Sequence, residues 1–313
     1  MASDTTTTLA ALLTDGSIAA SYALTIADRL NFLNHPVVAA SYISDLAGMK
    51  STTAEKSAYG YGANAMTAET EAGGPGSGAA ETSLSVAALT ATVAGYSLQR
   101  EMSSLVTTIA GQDRLGAAAL IGEDLAVAAQ AGLMDAIAGV IDDFTNTEAN
   151  TGADLTLAHV LSALGTFRAQ NMRGPIMGVL HSVQWSDLST DIATSGSGSV
   201  QFSDAGAQLA RYTDGSYQGN FLGVDWFISN RVVTANAGVD RAGAIFGADG
   251  IVWATATPAV DSPSTQALFG AGVLPMLCDI DRNGGAGVTE VTGRVFFGVS
   301  KGLENGVTII SEA

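Results

Sequence analysis

Between Asp113 and Phe144 apolar residues recur at the pitch of an α-helix. Ile121, Leu125, Ala129, Leu133, Ile137 and Ile141 form one stripe, widened by Leu120, Val127, Met134, Val140 and Phe144. At ~100° per residue, Asp113, Asp124, Asp135 and Asp142 fall in one narrow sector, so charge is gathered on a single edge. No proline interrupts the run, and the Asp113 carboxylate is suited to capping its positive end. The pattern predicts one continuous helix almost ~50 Å long, at ~1.5 Å per residue. Gly116, Gly122, Gly132, Gly139 and many alanines would let other backbones approach it closely.

The rest of the chain reads as shorter pieces. Ser17 to Leu33 is an amphipathic helix by pattern (Ile18, Tyr22, Ile26, Leu30 and Leu33 on one side), stopped by Asn34-His35-Pro36. Val37 to Ile43 is a short strand. Asp45 to Ala80 has few large apolar residues and ends in a Gly/Pro/Ser cluster, which by composition alone is a flexible linker. Within it, however, SAYGYGANAM alternates aromatic and small residues, and Glu81 to Ala94 returns as a Thr- and Val-rich strand. An outgoing leg, a loop and a returning leg predict a long hairpin, which needs a surface to lie on because an isolated hairpin is marginally stable. Its aromatics need burial, so Tyr59, Tyr61 and Met66 are expected to contact a neighbouring subunit.

Tyr96 to Ile109 is expected to form a short helix, and the segment after Phe144, TNTEANTGADLT, a polar loop. Helices follow over Leu155 to Gln170 and His181 to Ile192, flanking a buried strand at Pro175 to Leu180. Phe221 to Ser229 and Arg241 to Thr255 read as strands around turns, and Val291 to Val299 and Gly306 to Ile310 as two strands joined across 301–305. The order of elements gives an α+β class.

Composition changes the picture in one respect. Hydrophobic residues make up 47% of the chain and charged residues only 14%, well under the usual ~25%. A surface so short of charge is expected to be covered largely by other copies of the same chain. The net charge of −17 argues against a basic nucleic-acid-binding surface, though not against a wall that encloses DNA without adhering to it. The N-terminus MASDTTTTLAALL lacks the basic region of a signal peptide, and no uncharged apolar run reaches the ~18 residues of a membrane span. The chain therefore reads as cytosolic at synthesis.

Candidate chemistry is sparse. Cys278 is the only cysteine, which rules out an intrachain disulfide, and in the run VLPMLC it reads as a small core residue. His35, His159 and His181 show no zinc-ligand spacing, and no nucleophile elbow or phosphate loop is present. His181, between a strand and a helix, reads as a capping or packing residue. No catalytic, cofactor or metal site is expected. One run does match a template: Asp279-x-Asp281-x-Asn283-Gly284 followed by Glu290 has the oxygen spacing of a calcium loop. Its flanks are strand-like rather than helical, and Ala286 stands where a larger aliphatic is usual, which favours an Asn-Gly hairpin turn.

Taken together, these stretches resemble the major capsid proteins of tailed double-stranded DNA phages. Ser17 to Leu33 looks like the family's N-arm segment, Asp45 to Ala94 its extended loop, and Asp113 to Phe144 the spine helix of its peripheral domain. RGPIMGVLHSVQWSDL resembles the strand and helix of the axial domain, FLGVDWFISNRVV with DRAGAIFGADGIVWA its late strands, and RVFFGVSKGLENGVTII the closing strands. The resemblance implies an arm and first helix over 1–44, an extended hairpin loop over 45–94, a peripheral domain over 95–150, an axial domain over 151–280 and return strands over 281–313. It implies a structural protein of the virion, assembled in the host cytoplasm as pentamers and hexamers of an icosahedral shell, with neighbouring capsomers, portal, scaffolding and decoration proteins as partners. It also raises a Lys–Asn crosslink, for which Lys50 and Lys56 lie in the presumed hairpin. Two other readings stand beside it: an encapsulin-type nanocompartment with the same fold, and an acidic calcium-binding surface-layer or adhesin subunit.

Overall fold

The structure, a computed structural model, describes residues 40–59, 86–103, 114–169, 174–194, 217–261, 266–269 and 274–312. The N-terminal helix expected over Ser17 to Leu33 lies outside these residues, as do Tyr61, Met66 and the side chain of Tyr59.

The long periodic run is helix α1, Arg114–Ile141. Its stripe (Leu125, Leu133, Ile137 and Ile141 among others) is buried between two β-sheets, in a core that also takes Trp253, Met276, Val295 and Phe297 from one sheet and Val179, Phe227 and Phe246 from the other. The segment Asp124–Ile141 is long and apolar enough to cross a membrane by composition, but its apolar side is already occupied by the two sheets. Asp124, Asp135 and Asp142 of the charged edge face outward. Asp124 accepts from Arg100 Nε at 2.5 Å and Asp135 from Arg231 Nη1 at 2.8 Å, so two of the helix's aspartates are tied by arginines of other segments.

The first sheet contains β1 (Ser41–Asp45), β4 (Ala94–Ser103), β11 (Ile251–Thr255), β12 (Gln266–Phe269), β13 (Met276–Asn283) and β14 (Val288–Lys301). Strand β14 pairs antiparallel with β11, β13 and β4, and β1 adds to β11 in parallel. The second sheet contains β5 (Thr147–Asn150), β6 (Met177–Leu180), β7 (Tyr217–Phe221), β8 (Val224–Ile228), β9 (Thr234–Ala235), β10 (Asp240–Phe246) and β15 (Gly306–Glu312). Helices α2 (Leu157–Ala169) and α3 (Ser182–Thr194) cover its far face. There Leu164, Phe167 and Leu188 pack on Trp226, Phe221, Ile245 and Ile309. Two mixed sheets with a helix between them and helices outside one of them make the expected α+β fold.

Four expectations are revised. Tyr96 to Ile109 is not a helix where it is described: β4 runs to Ser103, and each residue from Ala94 to Ser103 has a register partner on β14. The single returning strand expected to end at Ala94 is two strands, β3 (Val86–Thr92) and β4, broken at Val93. The polar loop after α1 contains β5, whose backbone pairs with β15 although three of its four side chains are polar. The last two strands, expected as a joined pair, are consecutive but belong to different sheets, β14 to the first and β15 to the second.

The two legs of the hairpin are paired. Strand β2 (Thr53–Tyr59) runs antiparallel to β3, from Thr53 opposite Thr92 to Tyr59 opposite Val86. Ala54 and Ala91 pack with Ala254, and Ala58 and Leu89 with Val252, so the root of the hairpin rests on β11. At Gly298 of β14 a Cβ would lie 2.0 Å from the Thr92 carbonyl oxygen, so only glycine lets the hairpin come this close.

Candidate functional site

Among the described residues, His159, His181 and Cys278 have structural roles; His35 lies outside them. The Thr156 hydroxyl and His159 Nδ1 are 2.7 Å apart at the start of α2, and Asp191 of α3 accepts from the Leu157 N–H at 2.8 Å, serving the same helix end. His181 precedes α3, its Nδ1 accepting weakly from the Val183 N–H at 3.4 Å. Burial, and then the charge of Arg241, push the His181 pKa below its ordinary value, so the imidazole is neutral at pH 7. Burial pushes the Cys278 thiol up to about 12, which makes it an inert core residue.

The calcium-like run lies on a β-hairpin. Asp279, Asp281 and Asn283 belong to β13, the chain turns over 284–287, and Glu290 lies on β14 directly opposite Asp281. Asn283 Oδ1 accepts from the Ala286 N–H at 3.2 Å, which closes the turn. Glu290 Oε2 accepts from Gln99 Nε2 at 2.8 Å, and Asp279 Oδ2 from Gln266 Nε2 at 3.3 Å. Among the described residues no group of three or more His, Cys, Asp or Glu side chains is placed to hold a metal ion. The run thus forms the expected β-hairpin turn.

What the fold does build is a junction between the sheets. The chain crosses from the second sheet to the first over 247–250, between β10 and β11, and back again over 302–305, between β14 and β15. The two crossings lie side by side and are sewn together: Gly247 N–H to Asn305 O at 2.9 Å, Gly302 N–H to Gly250 O at 2.9 Å, and Leu303 N–H to Asp249 O at 2.7 Å. Asn305 Nδ2 adds a bond to Ala248 O. The contact is too close for side chains at two positions. A Cβ on Gly302 would lie 2.1 Å from Asp249 O, and one on Gly250 2.8 Å from Asn305 O. Asp249 itself has φ 60°, the left-handed region that aspartate tolerates better than most residues.

Three other parts of the molecule converge on this junction. Lys301 Nζ donates to Asp143 O at 2.8 Å and pairs with Glu304 at 3.1 Å, while the Thr308 hydroxyl donates to Ile141 O at 2.9 Å, so the C-terminal end of α1 is held there. Burial raises the Glu304 pKa, but hydrogen bonds from the Thr145 N–H and from Lys301 together outweigh it and hold the carboxyl below its usual range. Ser41 of β1 accepts from the Asp249 N–H at 3.2 Å. Finally, Lys56 of β2 reaches Asp249 Oδ1 at 2.6 Å. Sequence reasoning missed the junction. Its signal is the pair of turn-rich segments GADG and GLEN, each set between two apolar strands, which look like ordinary hairpin turns until the sheets are known.

No protein-family model and no curated protein matches the chain. Solved structures do. The capsid of Ralstonia phage GP4 aligns over 87% of this chain and 85% of its own, with a TM-score of 0.56 at 10% identity. The capsid of cyanophage P-SCSP1u aligns over 86% and 85%, with a TM-score of 0.55 at 9% identity. The mature capsid of bacteriophage PhiM1 aligns over 88% and 86%, with a TM-score of 0.53 at 13% identity. The chain thus has the fold of the tailed-phage major capsid proteins, shared along almost its whole length.

Proposed function

We propose that this chain is the major capsid protein of a tailed double-stranded DNA phage. Copies assemble through pentamers and hexamers into an icosahedral shell, in the host cytoplasm, around DNA that they enclose without reading its sequence. The observation that carries this is the likeness to phage capsids over more than four-fifths of the chain. The low charge content supports it, because a shell subunit covers much of its surface with neighbours. So does the acidic balance, which keeps packaged DNA from adhering.

In this reading the first sheet with α1 is the peripheral domain and α1 its spine, while the second sheet with α2 and α3 forms the axial domain around each capsomer centre; this departs from the bounds expected from the sequence, moving β11 to β13 out of the axial domain and β15 into it. The subunit is not an enzyme. Portal, scaffolding and decoration proteins are its further partners.

The hairpin loop overlaps the adjacent subunit, with Tyr59, Tyr61 and Met66 as contacts. Tyr59→Ser combined with Tyr61→Ser is expected to lower particle yield about tenfold or more, the scale of losing an aromatic anchor from an interface. The thermal midpoint of the dilute subunit should hardly move. Quantifying particles by sucrose gradient checks this; an unchanged yield contradicts the contact.

A further inference from the structure

The hairpin meets the subunit through an unusual seat. Residues 54, 56 and 58 alternate onto the face of β2 that is turned toward the body, and Leu89 and Ala91 of β3 share that face. Four of these five side chains are apolar and three are alanines; they meet Val252 and Ala254 of β11, with Ile43, Leu46 and Leu303 beside them. Alanine methyls interlock less than larger side chains do, and Leu89 is the one large apolar side chain among the five, so this seat opposes lifting more than it opposes tilting. In its middle stands Lys56, a charged residue at a body-facing position.

Its charge is met by Asp249 at 2.6 Å, with the two side chains 40% and 27% exposed. At the base of the hairpin the chain is fixed: the Val93 N–H bonds to Thr52 O at 2.8 Å, and Thr92 abuts Gly298. A fixed base, a seat built mostly from small side chains of the hairpin and a charged contact farther along the leg describe a hinge with a catch. The catch engages the junction of the two sheets, because Asp249 also bonds to the 302–305 crossing through Leu303.

We propose that the Lys56–Asp249 pair is a releasable latch that sets the angle of the hairpin on the subunit. Engaged, it holds β2 and β3 on β11; released, by salt or by a competing carboxylate, it frees the hairpin to tilt. The role given to this tilt, laying the hairpin over a neighbour, rests on the shell reading. The latch itself is a property of the single subunit.

Hydrogen–deuterium exchange on the full-length protein, kept dilute and unassembled, tests it separately from assembly. Asp249→Asn keeps a residue that tolerates φ 60° but strands the Lys56 charge against the apolar seat. Exchange in 53–59 and 86–92 should rise about two- to fivefold, the range of a partly exposed pair, with 240–246 and 288–312 unchanged. In the wild type, 1 M salt should produce the same rise. Adding Lys56→Met to Asp249→Asn removes the stranded charge and should return exchange to within about twofold of wild type, with no salt response. Unchanged exchange in Asp249→Asn overturns the latch. So does a double variant as loose as Asp249→Asn, since the effect would then come from the crossing and not from Lys56. A rise spread uniformly along the chain overturns it as well. None of these outcomes depends on particle formation, and failure to assemble with the exchange pattern intact would count against the shell reading alone.

Discussion

Trp226→Ala is expected to destabilise the unassembled subunit by about 4 kcal/mol, in the range for deleting a large buried aromatic. Trp226 lies on β8 with its side chain fully buried beneath α2 and α3. Its indole N–H donates to Phe221 O at 3.1 Å, across the tight turn that joins β7 to β8. Its ring lies over Gly178 of β6, where a Cβ would approach within 2.4 Å. Removing the ring therefore opens a void under two helices and takes away the indole N–H bond to Phe221 O. Urea denaturation of the wild type and variant measures the loss. A cost below ~1 kcal/mol would mean that the second sheet is not packed as described.

Gly302→Ala should have the second largest effect, about 3 kcal/mol, at the upper end for adding a methyl to a packed site. The atom in the way is the Asp249 carbonyl oxygen, 2.1 Å from the added Cβ, and a backbone atom cannot rotate aside. One of the two crossings must move, breaking the Leu303–Asp249 bond and loosening the hold on the end of α1. The same substitution at Gly139, on the exposed side of α1, meets nothing within 4 Å. There alanine should stabilise the protein, by up to about 1 kcal/mol, through helix propensity. Thermal or urea unfolding of the two variants should move in opposite directions. If Gly302→Ala is neutral, the two crossings are not in contact.

Helices were the most legible part of the sequence. The period of Leu125, Ala129, Leu133, Ile137 and Ile141 placed α1 almost to its ends, and α2 and α3 fell within two residues of their expected bounds. A helix makes its hydrogen bonds locally, so its signal is local. Strand β4 shows the opposite case. In YSLQREMSS an alternation of Tyr96 and Leu98 with Ser97, Gln99 and Glu101 is present, but it is short and competes with a helical spacing. Pairing with the long β14, nearly two hundred residues away, decides between them.

Strand β5, TEAN, carries no apolar pattern at all and exists because β15 offers it a backbone edge. The assignment of β14 and β15 to different sheets was equally hidden, since the GLEN segment between them has the length of a hairpin turn. For the same reason the junction, and with it the partnership of Lys56 and Asp249, could not be read from the chain. It exists only where two crossings distant in sequence lie side by side. The resemblance to capsid proteins was legible from several stretches taken together, and the fold comparisons bear out the capsid fold at identities of about a tenth.

Negative-stain electron microscopy of the purified full-length protein, concentrated under physiological salt, shows whether the chain builds a closed shell. Closed icosahedral particles of uniform size are expected, with nuclease-protected double-stranded DNA inside particles recovered from lysed host cells. Particles filled with protein cargo and free of DNA would shift the reading to a nanocompartment. A protein that stays monomeric at high concentration would contradict it.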